Sequence, residues 1–269
     1  MKVIISHDVD HLTAWEHLQD GILLKFLLRH SFEFISGSVT LSNFKSIGGE
    51  LLQNRWEHLD EIMQFDRAHQ VPATYFVGVA NGMGLSYSKQ NAHRCIQRIR
   101  EGGFEVGTHG ICFDDPQGIQ EEHDRFQSFS GLSNFGIRLH YLRMAETTLD
   151  HLAQAGYSYE CSVYGLKGPF RLHNLIEFPL QLMDVRVFYQ TQNFKTVPLK
   201  QAQEFTLKVI DQTASTGLPY LSIMFHDRYF CSTYGKWRDW YIWLIEYLQD
   251  QGFGWVNYQY ARQEIINNL

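Results

Sequence analysis

The sequence predicts an α/β protein whose parallel sheet closes into a barrel, and three observations carry that expectation. Short apolar runs alternate with segments of helical periodicity from one end of the chain to the other, the pattern of repeated β-α-β units. About seven or eight such units fit in 269 residues, which suits one barrel. No Pro/Gly/Ser-rich linker, charge block, low-complexity tract or fixed-period repeat divides the chain, so residues 1–269 read as a single domain.

The elements follow in order. Lys2-Val3-Ile4-Ile5 is a short buried strand. A helical stretch from Trp15 to about His30 comes next, then a loop rich in Ser, Gly and Asn up to Asn54. This region, about 12–54, is longer than an ordinary βα connection and reads as a lid over the first strand's C-terminal end. Arg55–His69 is amphipathic at helical spacing, and Pro72–Val77 is the second strand. The helix Asn91–Glu101 ends at Gly102-Gly103 before the strand Phe104–His109. Gly136–His140 is a short strand. The helix Met144–Ala155, a Gly156 stop and the strand Tyr157–Val163 follow it. Leu175–Met183 is a strand, Leu199–Thr216 a helix, Leu218–Phe225 a strand, Lys236–Gln251 a helix and Phe253–Asn257 a closing strand.

Composition excludes several classes. The 44% hydrophobic content supplies ample core, while a formal net charge of −6 with acids and bases well mixed offers no basic field for nucleic acid. Cys95, Cys112, Cys161 and Cys231 are widely spaced, with no C-x-x-C, which points to reduced thiols in a reducing compartment. A first strand at residue 2 leaves no room for a signal peptide, and no apolar run reaches the roughly 18 residues of a spanning helix. A cytoplasmic chain is expected.

Chemistry gathers at the C-terminal ends of the strands, which open on one face in a parallel barrel. The stretch Ser6-His7-Asp8-Val9-Asp10-His11 ends the first strand, and side chains two apart in an extended chain face the same way, so Asp8 and Asp10 point together. Their repulsion calls for a bound cation, an arginine or a shared proton. His109 ends the third strand, Arg138 and His140 the fourth, and His226-Asp227 the strand before the last helix. Carboxylates, imidazoles and a guanidinium at one mouth meet the needs of hydrolysis: a metal or base to activate water, an acid for the leaving group, and a cation to hold the base.

In these motifs and their order the sequence resembles the polysaccharide deacetylase family over nearly its whole length. His7-Asp8-Val9-Asp10 resembles the first motif, Glu105–Gly110 the second, Arg138-Leu139-His140-Tyr141 the third, and Leu221–Asp227 the last; Gly168-Pro169-Phe170-Arg171 is similar to a G-F-R turn of some members. The resemblance implies a distorted barrel of about seven strands and a hydrolase that removes an N-acyl group, above all acetyl, from an amino sugar. It implies Asp8 as catalytic base, Arg138 holding it, His226 as general acid, and Asp10 and His109 as ligands of a divalent metal, Zn²⁺ first. Tyr141, Arg171 and Asp227 are then expected at the substrate. The family's second motif carries two His four residues apart, but four beyond His109 stands Phe113, which cannot bind a metal. Asp114 is the expected third ligand, ahead of His140 and His123. Glu160, Glu177 and Asp184 are the candidates for the acid that tunes His226. Two other readings stay open: hydrolysis of a cyclic amide or another C–N bond, and a barrel without catalysis that binds saccharide through its aromatic mouth.

The segment Gly21–His30 is apolar nearly all round. Such a helix either packs beneath the lid or lies exposed beside the mouth against a membrane surface or a lipid-linked saccharide.

Overall fold

The computed structural model describes residues 1–35, 41–190 and 196–267. In chain order it contains β1 (Lys2–Val9), α1 (Ile22–Ile35), α2 (Leu41–Leu52), α3 (Leu59–Ala68), β2 (Thr74–Val77), α4 (Lys89–Glu101), β3 (Glu105–Gly110), α5 (Pro116–Ser130) and β4 (Ile137–Leu139). Then come α6 (Thr148–Ala155), β5 (Tyr159–Glu160), β6 (Phe170–Leu172), β7 (Leu175–Glu177), β8 (Leu182–Met183), α7 (Asp184–Phe188), α8 (Leu199–Ser215), β9 (Tyr220–Met224), α9 (Gly235–Asp250), β10 (Gly254–Val256) and α10 (Tyr258–Asn267).

All strands belong to one mixed, strongly curled sheet. β1 is central: β9 runs beside Lys2–Ser6, β2 beside Ser6–Val9, and β10 beside Lys2–Ile4, all parallel. From β2 the sheet continues through β3, β4, β5 and β7, and β6 adds one antiparallel edge. β8 lies on the far side of β9. The two sides are joined by a single stretch, since β7 pairs with β5, β8 pairs with β9, and Leu180 between them bridges to Tyr164. The sequence reads Leu175–Met183 as one strand. Pro179 has no N–H for a ladder, and the stretch is kinked into two short strands that close a distorted barrel.

Alternation along β1 sets the layers. Val3, Ile5 and Val9 face outward into the large core under the helices, while Ile4 faces into the barrel. That interior is filled by Phe76, Tyr159, Ile176, Phe178, Tyr220 and Tyr258. Each such side chain, fully buried, contributes roughly 1.5–3 kcal/mol. Tyr258 and Ala261 of α10 plug the N-terminal end of the barrel, which leaves the C-terminal end as the mouth.

Several elements differ from the sequence reading. The helix expected from Trp15 starts at Ile22, because Gly21 takes φ +74° and the Asp20 carboxylate accepts from the Ile22 N–H. The expected Ser/Gly/Asn loop contains a helix, α2, despite Gly48 and Gly49; Ser36–Thr40 lie outside the described residues. α5 was not expected, although Asp115 caps it, Pro116 opens it and Gly131 closes it at φ +67°, which is a full set of boundary signals. The segment expected as a lid packs on Trp56, fully buried with Ala14 and Leu23 and flanked by Ile22, Phe26 and Leu51. Leu23 is thus buried, but Leu24, Leu28, Phe32 and Ile35 on the other side of α1 are exposed. Among the described residues no helix is long and apolar enough to cross a membrane.

Candidate active site

The β1 alternation that turns His7 outward turns Asp8 and Asp10 into the mouth. His7 is buried between Phe225 O and the Asp66 carboxylate, 2.9 and 3.0 Å away, so it serves packing. Asp8 Oδ1 accepts from Arg138 Nη1 at 3.1 Å. Arg138 is fully buried inside the barrel, donates also to Tyr258 Oη and Cys161 O, and lies over the Phe76 ring. A guanidinium so enclosed stays charged, and Asp8 is its carboxylate partner.

Asp10 Oδ1 is the hub of a second group. It lies 3.1 Å from His109 Nε2 and 3.5 Å from His140 Nδ1, and those two nitrogens are 3.0 Å apart. The outer nitrogens face backbone carbonyls: His109 Nδ1 is 3.1 Å from Arg138 O, and His140 Nε2 is 3.3 Å from Met83 O. Those carbonyls take the ring N–H groups, so both imidazoles turn their lone pairs inward. Burial lowers His140 to a pKa of about 4, which keeps it neutral. His109 behaves otherwise: burial opposes its charge, but Asp8 and Asp10 overcome that and raise its pKa. Burial opposes ionisation of Asp10 too, yet His109, His226 and His140 hold its carboxyl well below the usual range. A positive charge is therefore wanted at this point, either a proton on His109 or a cation.

The three atoms fit a cation. Bonds of about 2.0–2.1 Å at tetrahedral angles place ligand atoms about 3.3 Å apart, and the three separations bracket that value. Asp10 Oδ1 is moreover buried without a hydrogen bond. Two imidazoles and a carboxylate are the donor set of Zn²⁺ and similar borderline ions.

On the other side of Asp10, His226 Nε2 lies 3.6 Å from Asp10 Oδ2. His226 Nδ1 sits 2.9 Å from Asp184 Oδ1, and the His226 backbone N–H donates to Asp184 Oδ2 at 2.7 Å. Burial opposes the imidazolium, but Asp184, with Asp10 and Asp8 behind it, raises the His226 pKa to about 10. The mouth thus holds a carboxylate fixed by a cation, a set of converging metal-ligating atoms, and an imidazole that carries a proton at neutral pH.

Neither the family models nor the curated proteins give a match to this chain. Solved structures do. A Mycobacterium smegmatis protein assigned as a polysaccharide deacetylase superposes with a TM-score of 0.67 at 17% identity, over 99% of this chain and 90% of its own. The fold is that of the polysaccharide deacetylases. The PuuE allantoinase is also similar, with a TM-score of 0.62 at 15% identity over 97% of this chain and 88% of its own. So is a mutant of BA3943, a CE4 family pseudoenzyme with restored activity, with a TM-score of 0.51 at 10% identity over 97% of this chain and 67% of its own. At these identities the likeness is one of fold.

Against the residues expected from the deacetylase motifs, the structure brings together Asp8, Arg138, Asp10, His109 and His226, and leaves three elsewhere. Asp114 is exposed and outside the cluster; the residue that completes the group with Asp10 and His109 is His140, just after β4, and not one in the turn after β3. Asp227 faces away from the mouth, fully buried, where its Oδ2 accepts from the His58 N–H at the start of α3. Burial and the nearby Glu57 and Asp10 charges push its carboxyl well above the usual range. Arg171, on the edge strand β6, donates to His173 O. It lies beside Arg262 of α10, which is bonded to Ser158 O at the start of β5, so Arg171 belongs to the opposite end of the barrel. Tyr141 is exposed beside His140, with ring centroids 4.1 Å apart.

Asp184 is the acid beside His226; Glu160 and Glu177 pair with each other across β5 and β7. Glu122 of α5 was not expected. Its carboxylate accepts from the Ile111 and Cys112 N–H groups and fixes the turn after His109.

Proposed function

We infer that this chain hydrolyses the N-acyl bond of an acylated amino sugar, acetyl being the favoured acyl group, with the aid of a divalent metal. The observation that carries this reading is the placement of Asp8 with Arg138 on one side of the Asp10–His109–His140 group and His226 with Asp184 on the other. An ion held by Asp10, His109 and His140 would supply Lewis acidity, polarising the amide carbonyl and acidifying the attacking water. Asp8 accepts the proton that this water gives up. Arg138 keeps Asp8 ionised and aimed. His226 holds a proton on Nε2 and delivers it to the departing amine nitrogen, while Asp184 fixes the ring by its Nδ1–H and stabilises the charge. Tyr141 presents an aromatic face at the mouth, suited to the apolar side of a sugar ring.

The exposed side of α1 supports a substrate carried at a membrane surface, such as a lipid-linked saccharide. The helix begins next to the mouth, where Ile22 lies by Gly84 and Gly84 by the Tyr141 hydroxyl. Leu24, Leu28, Phe32 and Ile35 continue outward from there. The likeness to an allantoinase favours a second substrate class, a cyclic amide, whose opening needs the same base, acid and polarised carbonyl. Incubation with an N-acetylated amino sugar separates the two: release of acetate with an equal amount of free amine supports deacetylation, and ring opening of a cyclic amide without acetate release from the sugar replaces it.

A further inference from the structure

A second group of metal-ligating side chains lies where the lid meets the barrel. Glu50 in the last turn of α2, His58 just before α3 and Cys231 in the turn after β9 come from separate segments, and one donor atom of each lies within 4.8 Å of the other two. Their surroundings explain how they meet. The His58 N–H is held by Asp227 Oδ2 at 3.1 Å, and Glu50 Oε1 accepts from Thr233 Oγ1 at 2.7 Å, two residues beyond Cys231.

Two of the donors are left unsatisfied by the protein. Glu50 Oε2 and His58 Nε2 are both buried with no hydrogen-bond partner. The Cys231 thiol, 8% exposed, lies 3.6 Å from Arg228 O, and its sulfur accepts from the Tyr234 and Thr233 N–H groups. Arg228 stands at the rim, its Nη2 4.0 Å from Glu50 Oε2 and also without a hydrogen bond. Its Nη1 donates to Trp56 O at 3.1 Å, and the guanidinium lies over the rings of Trp56, Phe26 and Tyr234. Buried acceptors are ordinarily paired, and two unpaired ones beside a buried thiol point to something that binds all three.

We propose that Glu50, His58 and Cys231 form a second metal site, which takes one zinc-class divalent ion and staples α2 of the lid to the corner that carries His226. A thiolate, an imidazole and a carboxylate select Zn²⁺, or Co²⁺ in its place, over Mg²⁺ and Ca²⁺, which demand oxygen. Zinc bonds of about 2.0–2.3 Å require ligand atoms about 3.3–3.6 Å apart, so loading draws the three side chains together by up to about 1.5 Å. The Cys231 thiol gives its proton to solvent as sulfur bonds the ion. The site does not depend on the reading of the first one.

Cobalt distinguishes the two sites, since Asp10, His109 and His140 include no sulfur. Protein stripped of metal by a chelator is titrated with Co²⁺, and the thiolate-to-cobalt charge-transfer band in the near ultraviolet is followed. The wild type is expected to develop the band to one equivalent per chain, His140→Ala to keep it, and Cys231→Ser to lose it while keeping its circular dichroism. His58→Gln is expected to weaken the Co²⁺ affinity read from the band by at least about tenfold. Absence of the band at saturating Co²⁺, or a band that survives in Cys231→Ser, overturns the site. Should Cys231→Ser not fold, an unchanged affinity in His58→Gln overturns it equally.

Discussion

His109 Nε2, on β3, and His140 Nδ1, just after the neighbouring β4, stand 3.0 Å apart, each ring held from behind by a backbone carbonyl. Nitrogens that close share a proton or a cation, and the buried carboxylate oxygen beside them favours the positive charge. The pair would supply the two-imidazole half of a metal site although the residue four beyond His109 is Phe113. The second imidazole comes from the residue that follows β4.

Asp8→Asn should retain the catalytic-site ion and lose turnover by about 10²–10⁴-fold, since a base is removed and no ligand is. It should also lower Tm, because the buried Arg138 loses its counter-charge. Metal content, kcat and a melting curve on one preparation check all three. Loss of the ion in this variant would make Asp8 a ligand.

His226→Ala should slow the chemical step by about 10²–10⁴-fold with metal content unchanged. A substrate whose leaving group needs no protonation should escape most of that loss. Equal damage to both substrates assigns His226 a structural role.

Glu177→Gln tests a buried carboxylate pair outside the site. Burial and the adjacent Glu160 push the Glu177 carboxyl well above the usual range, and a pKa raised on folding means that the folded state holds its proton more tightly. The stability this contributes is present below the ordinary Glu pKa and fades as pH rises towards the folded value. The amide isostere carries no such charge. Its Tm should match the wild type near pH 4 and exceed it at pH 8, by an amount equivalent to about 1–3 kcal/mol. A difference that does not grow with pH refutes the assignment.

Leu24→Ser combined with Leu28→Ser tests the membrane-surface reading of α1. Wild-type protein should co-sediment with anionic vesicles at low salt, and the double variant should bind markedly less, since two exposed apolar side chains are removed from the helix face. No binding by the wild type, or equal binding by both, leaves a soluble saccharide as the substrate.

Much of the site follows from one rule applied to the sequence, that side chains two apart on a strand share a face. It places Asp8 with Asp10. The same rule places His140 with Arg138 and turns Asp227 away from His226, yet the family's second motif directs attention to the turn after His109 and so to Asp114. Asp184 was legible only as one acid among three, because the kink at Pro179 that brings β8 beside β9 depends on how the barrel closes. The alternation of strands and helices was plain throughout. The helix α2 was not: Gly48 and Gly49 weigh against a helix locally, and packing of Leu51 with the Trp56 cluster outweighs them.

The account rests on His140 as the third ligand, and metal stoichiometry measured beside acetate release tests that most directly. The wild type, His140→Ala and Asp114→Ala are each loaded with Zn²⁺, dialysed and assayed on an N-acetylated amino sugar. His140→Ala should lose one equivalent per chain together with turnover, and Asp114→Ala should keep both. Full metal content and activity in His140→Ala, or loss of the ion in Asp114→Ala, would contradict the account.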